Sequence, residues 1–99
     1  MEKGQCTVAK TTKIIGSKWT LLILHNIMEG YTRFGQLQRR LTGISTKTLS
    51  VRLQEMEKAG MIKRKVYAEV PLHVEYSLTE RGKSLKGIID QMAAWGERV

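Results

Sequence analysis

Cysteine, proline and aspartate occur once each in this 99-residue chain, as Cys6, Pro71 and Asp90. A lone thiol cannot close a disulfide within the chain, which excludes the disulfide framework of a small secreted domain. Long apolar runs are also missing. The longest, Leu21 to Leu24, is far too short to span a bilayer. The first ten residues carry Lys3 and Lys10 and no apolar block, so no signal peptide is expected. A cytoplasmic location is the default expectation, without membrane insertion. No repeat and no low-complexity segment is present. Catalytic constellations are equally scarce. His25 and His73 are not spaced with carboxylates or with Cys6 as a metal site or a catalytic triad would suggest. No glycine-rich phosphate loop follows a strand. The expectation is a non-enzyme with no metal and no cofactor. His25 reads as a partly buried histidine with a backbone partner, and the tryptophans and methionines read as core.

Acidic residues are few as well, 9 against 17 lysines and arginines, for a formal net charge of +8 and a pI near 9.9. So basic a small chain favours a polyanionic partner. Nucleic acid is the first candidate, an anionic membrane surface the second, and an inert cationic surface the bland alternative. The 41% hydrophobic content is ordinary for a globular protein. The length suggests one domain, 1–99, burying about 65% of its unfolded surface.

What is present is a series of short amphipathic segments. Residues 1–16 form a short helix or arm with a weak pattern. Lys18 to Glu29, with Ser17 as cap, is apolar nearly all round and should be the central helix. Thr32 to Leu41 buries Phe34, Leu37 and Leu41 at i, i+3, i+7 and turns Arg33, Gln36, Arg39 and Arg40 elsewhere. After the Thr42-Gly43 turn comes a helix that Ser45 can cap and Gly60 can stop. Leu49, Leu53 and Met56 mark its buried side. Lys47, Val51, Gln54 and Lys58 lie opposite, flanked by Thr46, Thr48, Ser50 and Arg52. An outward face of hydroxyls and cations near a helix N-terminus suits a DNA major groove. A solvated charged face is the commoner meaning of such a pattern.

The neighbours strengthen the first reading. Two short helices joined by a glycine-containing turn predict a helix-turn-helix. Beyond Gly60 the period changes to two. Ile62, Arg64 and Val66 alternate with Lys63, Lys65 and Tyr67, and Val74, Tyr76 and Leu78 alternate with His73, Glu75 and Ser77. The loop 68–72 holds the proline. A hairpin after a helix-turn-helix is a winged helix, and it brings Lys63, Arg64 and Lys65 beside the groove helix. Thr79 can cap a final helix over 79–98, with a stripe of Leu85, Ile88, Ile89, Met92 and Trp95. Gly82 and Gly87 should each weaken it by about 1 kcal/mol. The stripe predicts a dimer interface, although packing along its own domain is equally open for the first two turns. The fold class is α+β, mainly helical: a winged helix-turn-helix with a C-terminal dimerisation helix.

Several motifs coincide with a known family. Gly16-Ser17-Lys18-Trp19-Thr20-Leu21-Leu22-Ile23-Leu24 resembles the opening of HxlR-type winged-helix transcriptional regulators. Arg33-Phe34-Gly35-Gln36-Leu37 resembles their second signature. Gly43-Ile44-Ser45, Lys47-Thr48-Leu49, Arg52-Leu53, Glu57 and Gly60 resemble their recognition helix. Val70-Pro71, Val74-Glu75-Tyr76 and Leu78-Thr79-Glu80-Arg81-Gly82 resemble the wing and the start of the last helix. The resemblance covers nearly the whole chain. It implies a homodimer, similar to MarR-type regulators, that binds pseudo-palindromic double-stranded DNA operators. It also places Cys6 like the N-terminal cysteine that senses oxidants or electrophiles in many members, with Lys3 and Lys10 nearby to favour the thiolate. Two residues depart from the pattern. Leu72-His73 stand where Pro-Arg or Pro-Lys is frequent, which removes support for a wing-tip arginine in the minor groove. Thr42 replaces the usual proline of the turn.

The expected DNA contacts are Arg33, Ser45, Thr46, Lys47, Thr48, Val51, Arg52, Lys63, Arg64, Lys65 and His73. Thr46, Lys47 and Val51 should approach bases, while Ser45, Thr48 and Arg52 should hold phosphates. A small-molecule or oxidant effector is left open. The alternative from another class is a winged-helix protein-interaction module.

Overall fold

The computed structural model describes residues 6–99. Residues 1–5, including Lys3, lie outside the described part. Helix α1 spans Thr7–Ile15, α2 Lys18–Met28, α3 Phe34–Arg40 and α4 Thr46–Lys58. Strands β1 (Ile62–Tyr67) and β2 (His73–Leu78) follow, then α5 (Glu80–Lys83) and α6 (Lys86–Glu97).

Helix α2 is the centre, as its composition predicts. The Trp19 backbone N–H donates to the Ser17 hydroxyl at 3.1 Å, capping the first turn. Helices α1, α3, α4 and α6 and strand β2 all pack against it. Ile23 and Leu24 are fully buried, together with Leu37 of α3, Leu49 and Leu53 of α4 and Ile62 of β1. One side of α2 stays outside this core. His25 is exposed, and Leu22 is 41% exposed. The partly buried histidine expected from the sequence is therefore corrected: His25 is exposed on the outward stripe that Lys18, Leu22 and Glu29 share.

Polar contacts lock α2 to α3. The Asn26 amide donates to the Leu22 carbonyl at 2.8 Å and accepts from Arg40 Nε at 3.3 Å. Arg40 also lies over the Tyr31 ring, 4.4 Å from its centroid. Helix α3 begins two residues later than its periodicity suggests. The reason is non-local: the Tyr76 N–H of β2 donates to the Thr32 carbonyl at 2.8 Å, holding Thr32 extended against the hairpin. Gln36 Oε1 accepts from the N–H groups of Thr32 and Arg33, both at 3.1 Å, closing the start of α3.

Helix α4 has the expected ends. Ser45 Oγ accepts from the Thr48 N–H at 3.0 Å, a cap worth about 1 kcal/mol. Gly60 takes φ +77°. Around it the Met61 N–H reaches the Met56 carbonyl and the Gly60 N–H reaches the Glu57 carbonyl, each at 3.0 Å. This paired closure ends the helix and aims the chain directly into β1.

The hairpin is antiparallel, with Ile62 opposite Leu78 and Tyr67 opposite His73. Only its base belongs to the core. Ile62 and Tyr76 are buried, while Val66 is 46% exposed because the ribbon projects beyond the helices.

The final helix is interrupted, contrary to the single helix expected over 79–98. Thr79 caps α5 by accepting from the Gly82 N–H at 3.1 Å. The Ser84 hydroxyl then donates to the Arg81 carbonyl. The Ser84 N–H also reaches the Arg81 carbonyl, and the Leu85 N–H bonds the Gly82 carbonyl, each at 3.2 Å. This tightened turn separates α5 from α6. Gly82 is buried against the start of β1. A Cβ there would overlap the Met61 carbonyl oxygen and lie 3.2 Å from its carbon. The glycine that looks like a helix weakness in sequence is thus a packing requirement.

Candidate nucleic-acid interface

The turn Leu41–Ile44 carries the chain from α3 into α4, and its ends are held by buried Leu41 and Ile44. With Leu49, Leu53 and Met56 also buried, α4 presents its opposite face outward. Thr46 and Lys47 are exposed, and Val51 is 40% exposed. Among the described residues Lys47 makes no ion pair, so its ammonium is available to an anion or a base-edge acceptor.

The hydroxyls of this face are already oriented by one another. Ser45 Oγ accepts from the Thr48 backbone and donates to Thr48 Oγ1 at 2.9 Å. That leaves the Thr48 hydroxyl proton uncommitted among the described residues. Thr46 Oγ1 is held from the preceding helix, accepting from Gln38 Nε2 at 3.0 Å. Gln38 was not among the residues singled out from the sequence. No local periodicity marks it, because only the crossing of α3 and α4 brings it to Thr46.

Arg52 is more constrained than its place on the helical wheel suggests. Its Nη1 meets Glu55 Oε1 at 2.7 Å, and its Nε is buried without a partner. Arg33 is exposed at the N-terminus of α3.

The wing does not present its three cations alike. Arg64 lines a polar concavity with Ser50, Gln54 and Glu57 of α4, together with Phe34 and Tyr76. Lys63 and Lys65 fall on the alternate face of the strand and are exposed. Lys65 covers the Tyr67 ring at 4.9 Å.

His73 stacks on Tyr67 with ring centroids 4.5 Å apart. Its Nδ1 lies 3.2 Å from Glu69 and its Nε2 3.3 Å from Glu75. His73 is therefore engaged in the wing's own framework. The wing tip beyond it is apolar, with Val70 and Leu72 exposed.

Helix α6 divides the predicted stripe. Ile89 is buried and Leu85 packs against the same core. Ile88 and Met92 are each 48% exposed and Trp95 60% exposed. These three line one open apolar groove with Ser84, Gly87, Gln91 and Gly96.

Cys6 is exposed and stands at the N-cap of α1. It forms no ordinary capping hydrogen bond. Even so, the backbone amides of Ala9 and, less strongly, Val8 hold its thiol below the usual value. Helix-terminal amides, which the sequence did not suggest, are the lowering cause among the described residues. Lys3 lies outside the described residues. Among the described residues no group of three or more histidine, cysteine or acidic side chains could hold a metal ion. No described helix is long and apolar enough to cross a membrane.

Comparison with known proteins agrees with this architecture. Residues 14–99 match the family model described as HxlR-like helix-turn-helix. YkvN of Bacillus subtilis (strain 168), described as an uncharacterized HTH-type transcriptional regulator, is 42% identical over 96 residues. The match covers 97% of this chain and 81% of YkvN. A similar regulator from Methanothermobacter thermautotrophicus is 42% identical over 92 residues, covering 93% of this chain and 70% of that protein. Among solved structures, the redox regulator HypR in its oxidized form superposes with a TM-score of 0.89 at 39% identity. The superposition covers 95% of this chain and 97% of that one. The reduced transcriptional regulator YodB of B. subtilis superposes with a TM-score of 0.80 at 34% identity, over 95% and 93% of the two chains. A winged helix-turn-helix with these relatives over nearly its full length belongs to the HxlR-like helix-turn-helix family of transcriptional regulators.

Proposed function

We propose that the protein binds a pseudo-palindromic operator in double-stranded DNA as a homodimer, each protomer laying α4 in a major groove. The observation that carries this reading is the outward face of α4. Thr46, Lys47 and Val51 are exposed at its N-terminal half while Leu49, Leu53 and Met56 anchor the other side. Thr46 and Lys47 read base edges, and Val51 meets a thymine methyl. Ser45, Thr48 and Arg33 approach phosphates, with Arg64, Lys63 and Lys65 of the wing alongside. Arg52 joins them after exchanging Glu55 for a phosphate. His73 contributes by stiffening the wing.

The dimer forms through α6, whose groove of Ile88, Met92 and Trp95 is the apolar surface a second copy would cover. Leu85 and Ile89 support that helix from within. The whole chain acts as one domain in the cytoplasm, and its work is binding rather than catalysis. Oxidation or alkylation of Cys6 modulates the dimer. The lowered thiol and its exposure support this, as does the description of HypR as a redox regulator.

A salt titration of duplex binding tests the reading against a protein-interaction module. A dimer holding six or more phosphates should give a log K against log salt slope of roughly −5 or steeper. A slope near zero would leave the protein without a backbone-contacting mode.

A further inference from the structure

The amide of Gln38 is a polar group on this face that the reading above does not use. It reaches from α3 to the first residue of α4. Its Nε2 lies 3.0 Å from Thr46 Oγ1 and 3.5 Å from the Ile44 carbonyl oxygen. Thr46 Oγ1 and Gln38 Oε1 are 3.4 Å apart. We infer that Gln38 is a specificity-determining positioning residue: it holds the Thr46 hydroxyl and so sets how Thr46 meets a DNA base. The inference rests on the DNA-binding reading and deepens it.

A threonine hydroxyl has one proton and two lone pairs, so it can face a base as donor or as acceptor. Which it does depends on the partner behind it. A side-chain amide is ambiguous, since its oxygen and nitrogen can exchange places by a flip. Here the Ile44 carbonyl, 3.5 Å from Nε2, favours one orientation. The amide atom beside it must donate, because two carbonyl oxygens would repel. That atom is Nε2, and the same Nε2 points a hydrogen at Thr46 Oγ1.

Thr46 therefore accepts from behind with one lone pair and keeps its proton and its second lone pair for other partners. In the free protein the proton turns toward Oε1 at 3.4 Å, a long contact that a base can displace cheaply. Outward, the hydroxyl suits guanine O6 or N7, adenine N7 or thymine O4. With its proton turned to Oε1, its second lone pair can instead accept from an amino group such as cytosine N4.

Selection from a duplex library with a random centre, followed by sequencing, tests this with the full chain. Wild type, Thr46→Val, Gln38→Met and Gln38→Glu would be compared, with thermal unfolding confirming that each is folded. Gln38→Met keeps volume and loses both hydrogen bonds. It should flatten preference by roughly two- to tenfold at the base position that Thr46→Val affects, and leave the other positions unchanged. Gln38→Glu offers only acceptors behind Thr46, so the hydroxyl proton turns inward. Preference at that position should then move toward cytosine, alongside a general loss of affinity from the added negative charge.

If Gln38→Met leaves the selected sequence unchanged, or weakens all sequences equally, Gln38 does not set specificity. An unshifted preference in Gln38→Glu would overturn the claim that Gln38 orients the Thr46 hydroxyl. If wild type enriches no sequence at all, the DNA-binding reading fails, and this inference with it.

Discussion

Gly82→Ala sets two effects against each other in one methyl group. Alanine is the better helix former, by about 1 kcal/mol, and Gly82 sits inside α5. On helix propensity alone the variant should be more stable. The packing predicts the opposite. The new Cβ would overlap the Met61 carbonyl oxygen and stand 3.3 Å from Leu78 Cδ2. The oxygen is backbone, at the junction of α4 and β1, and it already accepts from the Thr79 N–H at 3.1 Å. It cannot swing aside as a side-chain tip would. Relief requires α5 to move off β1, which costs about 1–3 kcal/mol as overpacking. Loss of the Thr79 bond costs about 1 kcal/mol more. Subtracting the propensity gain leaves a net destabilisation of about 1–3 kcal/mol. For a chain of this size that lowers Tm by roughly 5–20 °C.

Thermal unfolding followed by circular dichroism, at one fixed protein concentration, measures it. Gly35→Ala is the control. Its Cβ would meet only Arg39 Nη1 at 3.6 Å, so it should be neutral or stabilising by up to about 1 kcal/mol. A Gly82→Ala protein as stable as wild type, or more so, would refute the close packing of α5 on β1.

Lys47→Ala should cost roughly 1–3 kcal/mol on a selected operator and relax specificity at one or two positions. Equal losses on operator and random DNA would reduce Lys47 to a phosphate contact. Ile88→Glu with Met92→Glu should give a folded monomer with weak operator binding, read by sedimentation. An unchanged dimer would move the interface off α6. Charge at Ile89 is the wrong probe, because that side chain is buried in its own core. Alkylation of Cys6 should reach half its maximal rate at lower pH in native protein than in denatured chain. The sign follows from linkage. The amides favour the thiolate, so their stabilisation is present above the unfolded-state value and is lost as pH falls through the folded-state value. Identical pH profiles would remove the helix-terminal amides as the cause. Loss of operator binding after diamide in both wild type and Cys6→Ser, or in neither, would separate Cys6 from regulation.

The elements with local causes were legible in the sequence. Ser17 and Ser45 precede apolar periods and do cap them, and Gly60 ends α4 where its place after Ala59 suggests. The switch from helical to alternating period at Ile62 marks the wing to within a residue. What escaped depends on distant partners. The start of α3 is set by Tyr76 across the hairpin. Gly82 carries no mark of the strand that presses on it.

The site divides in the same way. The outward face of α4 can be read from a helical wheel. The diversion of Arg52 to Glu55, the framing of His73 by two glutamates and the reach of Gln38 to Thr46 cannot. Each of these depends on side-chain choices that apolar periodicity does not encode. The apolar stripe of α6 is visible as a stripe, but its division between Ile89 inside and Trp95 outside follows from how the helix meets α2.

Methylation interference on a selected duplex tests the central claim most directly. Methyl groups on guanine N7 block the major groove without altering the phosphates. If two α4 helices read one operator, interference should appear in two patches on one face of the duplex, about 10–10.5 base pairs apart or a multiple of that. A single patch, or binding indifferent to N7 methylation, would contradict it.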